Sequence, residues 1–235
     1  MSYVTILHAA KATESIYGND DFDDFTFTGG FFDTKNDDRL GWAKDGDAGG
    51  ASGGLYRYIV NPNHFILCFR GSMGSKDFKV DDAQIVMNKI KATRVDRVDD
   101  CIAYAMQVKG QHPGASILVT GHSLGGFLAQ VVGVKCDLPF ITFNAPGASN
   151  FLKGNAAFKN KTNTKFQNGV NFRVSWDPVS SGAGDHIGPL ITLPHHGWNV
   201  FDAHMGVAYL KSVERSVYKD KPAIAYVNIQ TGRLK

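Results

Sequence analysis

The sequence predicts an α/β fold in which a central, mostly parallel β-sheet is flanked by helices. Apolar runs of strand length alternate with amphipathic helical segments, and turn residues separate them. The composition, with 43% hydrophobic and 20% charged residues, is typical of a globular protein. Because 235 residues fit one large α/β domain better than two, we expect a single domain over 1–235 with its core at about 55–210.

The segment 1–54 is predicted to form one helix followed by loops rich in Asp and Gly. Apolar residues at a loose helical spacing favour a helix over 3–17. The remainder, 19–54, is interpreted as loop and short strand. Its acidic cluster is typical of a solvated turn, and a calcium loop is the alternative. The cluster consists of Asp20, Asp21, Asp23 and Asp24.

A hairpin is predicted from two β-rich runs, 55–60 and 64–70, on either side of the turn tripeptide Asn61-Pro62-Asn63. The second run is continuously apolar, which favours a central strand covered on both faces.

Helices and strands alternate beyond the hairpin. Asp96 is a candidate N-cap of a helix that ends before Gly110. Strands are predicted at 117–120, 140–143 and 170–176, with a second helix after the first of them. This order is the pattern of a parallel sheet with right-handed crossovers. The apolar positions are Val98, Ile102, Ala105 and Met106 in the first helix, and Leu124, Phe127, Leu128, Val131 and Val132 in the second.

The pentapeptide Gly121-His122-Ser123-Leu124-Gly125 matches the G-x-S-x-G pattern of a serine nucleophile. The pattern alone arises by chance in many chains, but here a predicted strand precedes it and a predicted helix follows it. The motif requires this context, because the sharp turn between strand and helix strains the serine backbone and exposes its hydroxyl. Ser123 is therefore the candidate nucleophile.

A serine hydroxyl needs a histidine to accept its proton and a carboxylate to orient that histidine. In this class of fold the acid and then the histidine follow the serine along the chain. Asp177 is the best candidate acid, because it ends a β-rich run and precedes Pro178, which holds it extended at a strand tip. Asp185 and Asp202 are the alternatives.

His204 is the best candidate base, because it follows a loop and starts a helical pattern. His186, in a glycine-rich segment, is the second candidate. A zinc site is a less favoured alternative, since no helical H-x-x-x-H pair supports it, and we expect no metal. Its ligands would be His195, His196, Asp202 and His204.

Two backbone N–H groups are candidates to stabilise the negative charge that develops during ester hydrolysis. One belongs to Leu124, the residue after the nucleophile, and the other to Ser72, which follows the predicted strand 64–70. Gly71 would let the backbone at Ser72 come close.

Four segments together resemble, in order and spacing, the class 3 lipase family of α/β-hydrolases. The resemblance implies an α/β-hydrolase fold and a triad of Ser123, Asp177 and His204. It also implies an oxyanion hole at Ser72 and Leu124 and the hydrolysis of acyl esters in lipids. The segments are Phe69-Arg70-Gly71-Ser72, Thr120-Gly121-His122-Ser123-Leu124-Gly125-Gly126, Thr142-Phe143-Asn144-Ala145-Pro146-Gly147 and Asp177-Pro178-Val179.

The sequence departs from the larger lipases of this family in several places. Ser72 stands where threonine is common, and Asn144 stands where glycine is usual. The lid that normally follows the oxyanion loop must fit within about 73–96, so we expect a compact lid region.

The segment 73–97 mixes apolar side chains with lysine and arginine. It is interpreted either as a short lid or interfacial surface that meets anionic phospholipid, or as a solvated helix with one packed face. Met73 and Phe78 in this segment, and His122 in the motif, are further candidates for contact with the substrate.

The predicted function is that of a serine carboxylester hydrolase acting on lipid, as a triacylglycerol lipase or a phospholipase A1-like enzyme. Such an enzyme works through an acyl-enzyme intermediate and needs no cofactor. The alternatives are a thioesterase or acyltransferase with the same triad, and a non-catalytic module that binds lipid or a partner. Transient contact with a membrane surface is expected. The net charge of +3, from 25 basic and 22 acidic residues, does not favour a nucleic-acid partner.

Two expectations concern the cellular setting. No cleavable leader is visible, which predicts a cytoplasmic protein, and secretion without such a leader, for instance as a toxin delivered to another cell, is the alternative. Cys68, Cys101 and Cys136 are odd in number and lie in apolar contexts, so we expect buried, reduced thiols.

Overall fold

A seven-stranded β-sheet runs through the computed structural model of the protein, with its strands side by side in their order along the chain. The structure describes residues 3–31, 53–71, 95–154, 168–182, 184–197 and 202–230. Strands β1 to β3 pair antiparallel, and β3 to β7 pair parallel, which confirms the mostly parallel sheet. The strands are β1 Phe25–Phe31, β2 Gly53–Tyr58, β3 His64–Phe69, β4 Ser116–His122, β5 Phe140–Phe143, β6 Gly169–Val174 and β7 Leu190–Leu193.

Helices cover both faces of this sheet. Within the described residues, α2 to α5 contribute to the core on one face, and α1, α6 and α7 form the layer on the other. The helices are α1 Ile6–Ser15, α2 Val95–Gln111, α3 Leu124–Cys136, α4 Ser149–Gly154, α5 Pro178–Gly182, α6 Gly206–Glu214 and α7 Ala223–Gln230. The predicted fold of a sheet flanked by helices is confirmed.

The central position of β3 follows from its continuous apolar sequence. Because side chains alternate across a strand, Phe65, Leu67 and Phe69 enter the core on one face, while Ile66 and Cys68 enter the core on the other. All five side chains are buried. A strand with polar residues at every second position would have one polar face, and the helical layer on that face would have no apolar surface to pack against.

Local sequence explains where α1 begins and why α3 is central. Thr5 caps α1, since its hydroxyl accepts a hydrogen bond from the His8 N–H (3.1 Å) and the His8 ring accepts one from the Thr5 N–H (3.2 Å). Helix α3 carries the predicted apolar stripe, but Gly125, Ala129 and Gln130 are buried as well. A helix buried on every side is fixed firmly against the sheet.

Helix α2 differs from its prediction. It continues through Gly110 to Gln111, and Asp96 lies inside it and is not its cap. Met106, predicted on the apolar face, is 54% exposed. Cys101 and Val108 complete the buried stripe in its place, because they lie at helical spacing from the buried pair at 98 and 105.

Several expectations concern the remaining segments. The predicted lid at 73–96 lies almost entirely outside the described residues, and Met73 and Phe78 lie outside them. The acidic cluster makes ordinary turn contacts: Asp23 binds the ammonium group of Lys11 at 2.8 Å, and Asp21 accepts a hydrogen bond from the Phe27 N–H at 2.7 Å. The three cysteines are buried thiols that form no disulfide with one another, as predicted.

Buried polar contacts join α1 to α6. The hydroxyl of Tyr209 donates to the carboxylate of Glu14 (2.6 Å) and also contacts the hydroxyl of Thr13. Burial raises the pKa of Glu14, and the hydrogen bond from Tyr209 opposes that rise. The Tyr209 ring stacks on Phe143 of β5, with ring centroids 5.5 Å apart. Tyr209 therefore anchors α6 to both α1 and the sheet.

We expect Tyr209→Phe to lower the free energy of unfolding by about 1–2 kcal/mol, because it leaves the half-buried carboxylate of Glu14 without this donor. Chemical denaturation at neutral pH measures the change. Tyr226→Phe removes a hydroxyl from a half-buried ring of α7 and is the control, with an expected change below about 0.5 kcal/mol. Equal losses in the two variants would show that the contact with Glu14 contributes nothing particular.

Candidate active site

Ser123 lies between β4 and α3, in the sharp turn that the motif predicts. Its backbone has φ 56° and ψ −127°, a conformation that residues other than glycine rarely adopt. Its N–H donates to the carbonyl of Phe143 at the end of β5 (3.1 Å). The turn therefore fixes the serine at the carboxyl edge of the parallel strands.

Two glycines of the motif allow this turn. A Cβ on Gly121 would lie 2.3 Å from the backbone of Gly125, and a Cβ on Gly125 would lie 2.0 Å from the carbonyl oxygen of Phe69. Both obstacles are backbone atoms of the sheet or of α3, so neither can rotate away. Only glycine lets β3, β4 and α3 approach this closely.

Asp177 follows β6 and is 1% exposed. Its two carboxylate oxygens accept hydrogen bonds from the backbone N–H groups of Val179 and Ser180, both at 3.1 Å. Burial on its own raises the pKa of a carboxyl, but His204 and the bonds from Ser180 and Val179 outweigh it, so the pKa of Asp177 lies below its ordinary value. Asp177 is a buried carboxylate with its donors in place.

His204 lies in the turn before α6 and joins the other two side chains. Its Nδ1 is 2.8 Å from an oxygen of Asp177, and its Nε2 is 2.9 Å from the hydroxyl oxygen of Ser123. Since a carboxylate only accepts hydrogen bonds, Nδ1 carries the proton of the neutral ring and Nε2 is free to accept one. This is the geometry of a general base next to a hydroxyl nucleophile.

His122 lies next to His204 and binds its backbone carbonyl. Its Nε2 donates to the carbonyl oxygen of His204 (2.7 Å), and its ring stacks on Tyr209 with ring centroids 4.7 Å apart. Burial, assisted by the nearby His204, lowers the pKa of His122 to about 3, so the ring is neutral near pH 7. These contacts occupy the ring within the protein, and its contact with substrate stays a prediction.

The two candidate oxyanion donors differ in what the structure describes. Leu124 is the first residue of α3, so its N–H lies in the first turn and has no partner within the helix. Ser72 lies outside the described residues. Its neighbour Gly71 adjoins the nucleophile, since a Cβ there would lie 2.9 Å from the His122 carbonyl oxygen and 3.4 Å from the Cβ of Ser123.

The alternative acids, the alternative base and the candidate zinc ligand His195 differ from the triad residues in burial or in their partners. Asp185 and Asp202 are exposed, and the Nε2 of His186 donates to the carbonyl of Ala145 (2.7 Å). His195 packs edge-on against Trp176, with ring centroids 5.6 Å apart. These contacts of His186 and His195 do not involve Ser123.

Sequence reasoning assigned no role to two residues at this edge. Asn144 follows β5 with φ 47° and is completely buried, and Trp176 precedes Asp177 with φ 73° and is 66% exposed. Asn144 carried a signal, since asparagine where glycine is usual indicates a left-handed backbone. The exposure of Trp176 had no comparable signal.

Two absences characterise the part of the chain that the structure describes. No group of three or more His, Cys, Asp and Glu side chains there could hold a metal ion. No helix among these residues is long and apolar enough to cross a bilayer. The cytoplasmic location, with secretion as its alternative, stays a prediction.

Comparison with known sequences gives a family match and several partial relatives. The Tle-like phospholipase domain matches residues 36–210, well over half of the chain. The extracellular phospholipase A1 of Serratia liquefaciens is 32% identical over 108 residues, which are 45% of this chain and 30% of that protein. The ATG15 protein of Eremothecium gossypii is 54% identical over 41 residues, 17% of this chain and 8% of that protein. The chain thus spans only a small part of these relatives.

Solved structures of similar proteins are distant in sequence. A triacylglycerol lipase from Penicillium expansum is 16% identical with a TM-score of 0.46, over 95% of this chain and 93% of that chain. A mono- and diacylglycerol lipase from Aspergillus oryzae is 18% identical with a TM-score of 0.45, over 95% of each chain.

The neutral, buried His122 makes stability depend on pH. Between its ordinary pKa of 6.5 and its folded value of about 3, the unfolded chain binds a proton that the folded protein does not, so stability falls as pH falls. From pH 7 to pH 5 we expect wild type to lose about 2 kcal/mol more than His122→Gln, whose amide can still donate to the His204 carbonyl.

Denaturation at a series of pH values measures this difference. His196→Gln, at an exposed position, is the matched control and should follow wild type. Parallel pH dependence of wild type and His122→Gln would mean that His122 is not held neutral by burial.

Proposed function

The chain belongs to the Tle-like phospholipase family, and on that basis we propose that it hydrolyses the acyl esters of phospholipids with Ser123 as nucleophile. The proposal rests on one observation, the hydrogen-bond contacts among three buried side chains. The Ser123 hydroxyl, the His204 ring and the Asp177 carboxylate form a continuous chain, with separations of 2.9 and 2.8 Å. This order of donors and acceptors is what serine hydrolysis requires.

In the first half-reaction, the Ser123 oxygen attacks the ester carbonyl carbon while His204 Nε2 takes the hydroxyl proton. Asp177 stabilises the imidazolium that results and keeps Nδ1 protonated. The N–H of Leu124, with that of Ser72, would bind the oxyanion of the tetrahedral intermediate. Collapse of the intermediate breaks the bond to the lysophospholipid oxygen, which receives the proton from His204.

In the second half-reaction, water replaces the leaving alcohol. His204 Nε2 removes a proton from the water as it attacks the acyl-enzyme, and returns that proton to the Ser123 oxygen as the fatty acid leaves. The ring therefore serves as base and then as acid in each half. The fixed tautomer that Asp177 imposes suits both steps.

Substitutions of the serine and of the acid test the proposal at different steps. Ser123→Ala should abolish the release of fatty acid and lysophospholipid from phospholipid vesicles, a loss of several orders of magnitude. Asp177→Asn keeps the side-chain shape but favours the wrong tautomer of His204, so turnover should fall by about 10⁴-fold. Mass spectrometry of the lipid products, with purified wild type alongside, measures both.

The same experiment identifies the substrate class. Loss of diacylglycerol with phospholipid left intact would indicate a neutral lipase, and faster cleavage of an acyl thioester than of the matched oxygen ester would indicate a thioesterase. His196→Gln, at an exposed position, is the control and should keep the wild-type rate. Wild-type rates in pure Ser123→Ala would refute the assignment.

We also propose that Trp176 contacts the membrane surface. Its indole is 66% exposed beside buried Asp177, so it lies at the edge that carries Ser123. A left-handed backbone favours glycine, and a bulky side chain there costs about 1–2 kcal/mol. Tryptophan is enriched where membrane meets water, because its ring is apolar and its N–H is polar.

The turn around Trp176 supplies a variant that removes the ring without adding backbone strain. The Asp177 N–H donates to the Val174 carbonyl (3.2 Å) across this turn, and glycine suits its third position when φ is positive. Trp176→Gly should therefore lower turnover on vesicles by about tenfold relative to turnover on a soluble short-chain ester, equivalent to about 1.4 kcal/mol of lost interfacial contact.

Vesicle sedimentation and the two activity assays measure this ratio. Val217→Gly is the matched control, since Val217 is 80% exposed and lies past the C-terminal end of α6, whereas His204 precedes the N-terminal end of that helix. An unchanged ratio in Trp176→Gly would remove Trp176 from the membrane contact and leave the hydrolase assignment as it stands.

A further inference from the structure

Asn144 lies between the segment that carries Asp177 and the segment that carries His204. It follows β5 and is completely buried. Its backbone N–H donates to the Phe172 carbonyl of β6 (2.8 Å), in continuation of the parallel ladder. Its side-chain amide lies at the carboxyl end of the strands, next to the last residue of β6. A buried amide at this place must find partners for both its oxygen and its nitrogen.

On the side of the acid, the amide oxygen of Asn144 accepts a hydrogen bond from the Val174 N–H (2.8 Å). Val174 is the last residue of β6, and its own carbonyl accepts the Asp177 N–H (3.2 Å). The amide thus fixes the residue from which the turn to Asp177 starts.

On the side of the base, the amide nitrogen of Asn144 donates to the carbonyl of Ala203 (2.7 Å) and lies 3.5 Å from the carbonyl oxygen of His204. That second carbonyl also accepts from His122 (2.7 Å). These hydrogen bonds fix the backbone of the loop at Ala203 and His204, directly beside the His204 ring.

The two contacts need an acceptor and a donor on one side chain, and the neutral amide of asparagine offers them on two separate atoms, Oδ1 and Nδ2. The backbone at Asn144 has φ 47°, in the left-handed region that asparagine and glycine tolerate best. Glutamine has no such tolerance. Asparagine therefore meets the conformational and the bonding requirement together.

We propose that Asn144 is a positioning residue, whose amide holds the turn of Asp177 and the loop of His204 at the spacing that the triad needs. This inference rests on the proposed function. The contacts between His204 and its two partners are 2.8 and 2.9 Å long, and a catalytic group displaced by about 1 Å loses about 10²-fold in rate. A side chain that bonds both supporting segments limits such displacement.

Asn144→Gly tests the inference, because it keeps the backbone conformation and removes both side-chain contacts. The active fraction is counted by titrating Ser123 to completion with a fluorophosphonate, and turnover of a soluble ester is then expressed per titrated site. We expect kcat per site to fall by about 10- to 100-fold, with KM within about twofold of wild type.

Asn171→Ala is the matched control. Asn171 is also a buried asparagine, on β6, and its amide donates to the carbonyls of Ile187 (2.7 Å) and Pro189 (3.4 Å). Its loss should lower stability but leave kcat per titrated site unchanged. A second variant, Asn144→Asp, keeps an acceptor for Val174 and, when ionised, lacks the donor to Ala203, so its kcat per site should also fall.

Three outcomes are distinct. Wild-type kcat per site in Asn144→Gly, or equal losses in Asn144→Gly and Asn171→Ala, would reduce Asn144 to a stabilising residue and overturn the inference. If Asn144→Gly does not fold, the result with Asn144→Asp decides in the same way. Absence of an adduct on wild-type Ser123 would remove the proposed function, and this inference with it.

Discussion

The reversal of the chain between β4 and α3 is the constraint on which the rest of the site depends. β4 has a neighbour on each side, and α3 must start at its end and return across the face of the sheet. Ser123 makes that reversal with φ 56°, while Gly125 lies against the backbone of β3. Since α3 is buried on every side, the helix cannot shift to relieve the turn. Ser123 is thus the fixed point of the candidate site, and Asp177 and His204 are positioned around it.

Charge in the site is arranged around a single carboxylate. Asp177 is buried, yet a ring N–H and two backbone N–H groups serve its oxygens, so ionisation is favoured. His122 lies behind His204 and is kept neutral by burial. A second positive ring there would oppose the His204 imidazolium that the proposed mechanism requires. The neutral His122 instead offers one hydrogen bond and a stacking surface, which support His204 without competing for the charge of Asp177.

Strong local patterns made much of the fold predictable. The apolar run of β3 favours a strand covered on both faces, and the motif around Ser123 is expected between a strand and a helix. Other elements lacked such signals. β7 is a four-residue edge strand whose Leu190 and Thr192 are exposed, so it has little apolar pattern to recognise. The stripe of α2 was misjudged because Cys101 and Met106 are both acceptable apolar residues, and only packing decides between them.

The candidate site divides in the same way. Motif chemistry pointed to Ser123 and to the acid before a proline, because those requirements are local. The contacts of the Asn144 amide join residues 30 and 59 positions away in the chain, and no local pattern encodes a bond of that kind. What the sequence did carry was the conformational part of the requirement, an asparagine at a position suited to a left-handed backbone. Its two partners become visible only once β6 and the loop before α6 are placed around it.

Three neighbouring parallel strands end in the same unusual way at the edge that carries Ser123. After β4, β5 and β6 the chain reaches Ser123, Asn144 and Trp176, each with positive φ. Elsewhere in the described residues, positive φ falls on Asn, Asp and Gly, which tolerate it. Serine and tryptophan tolerate it poorly, so local preference is overruled at this edge alone. Such strain persists where surrounding contacts fix the backbone, and it concentrates at functional sites. In the proposed mechanism this edge has Ser123 for attack and Asn144 for alignment, and it exposes Trp176 to solvent. Each of the three is placed by a turn that relaxed backbone would not form.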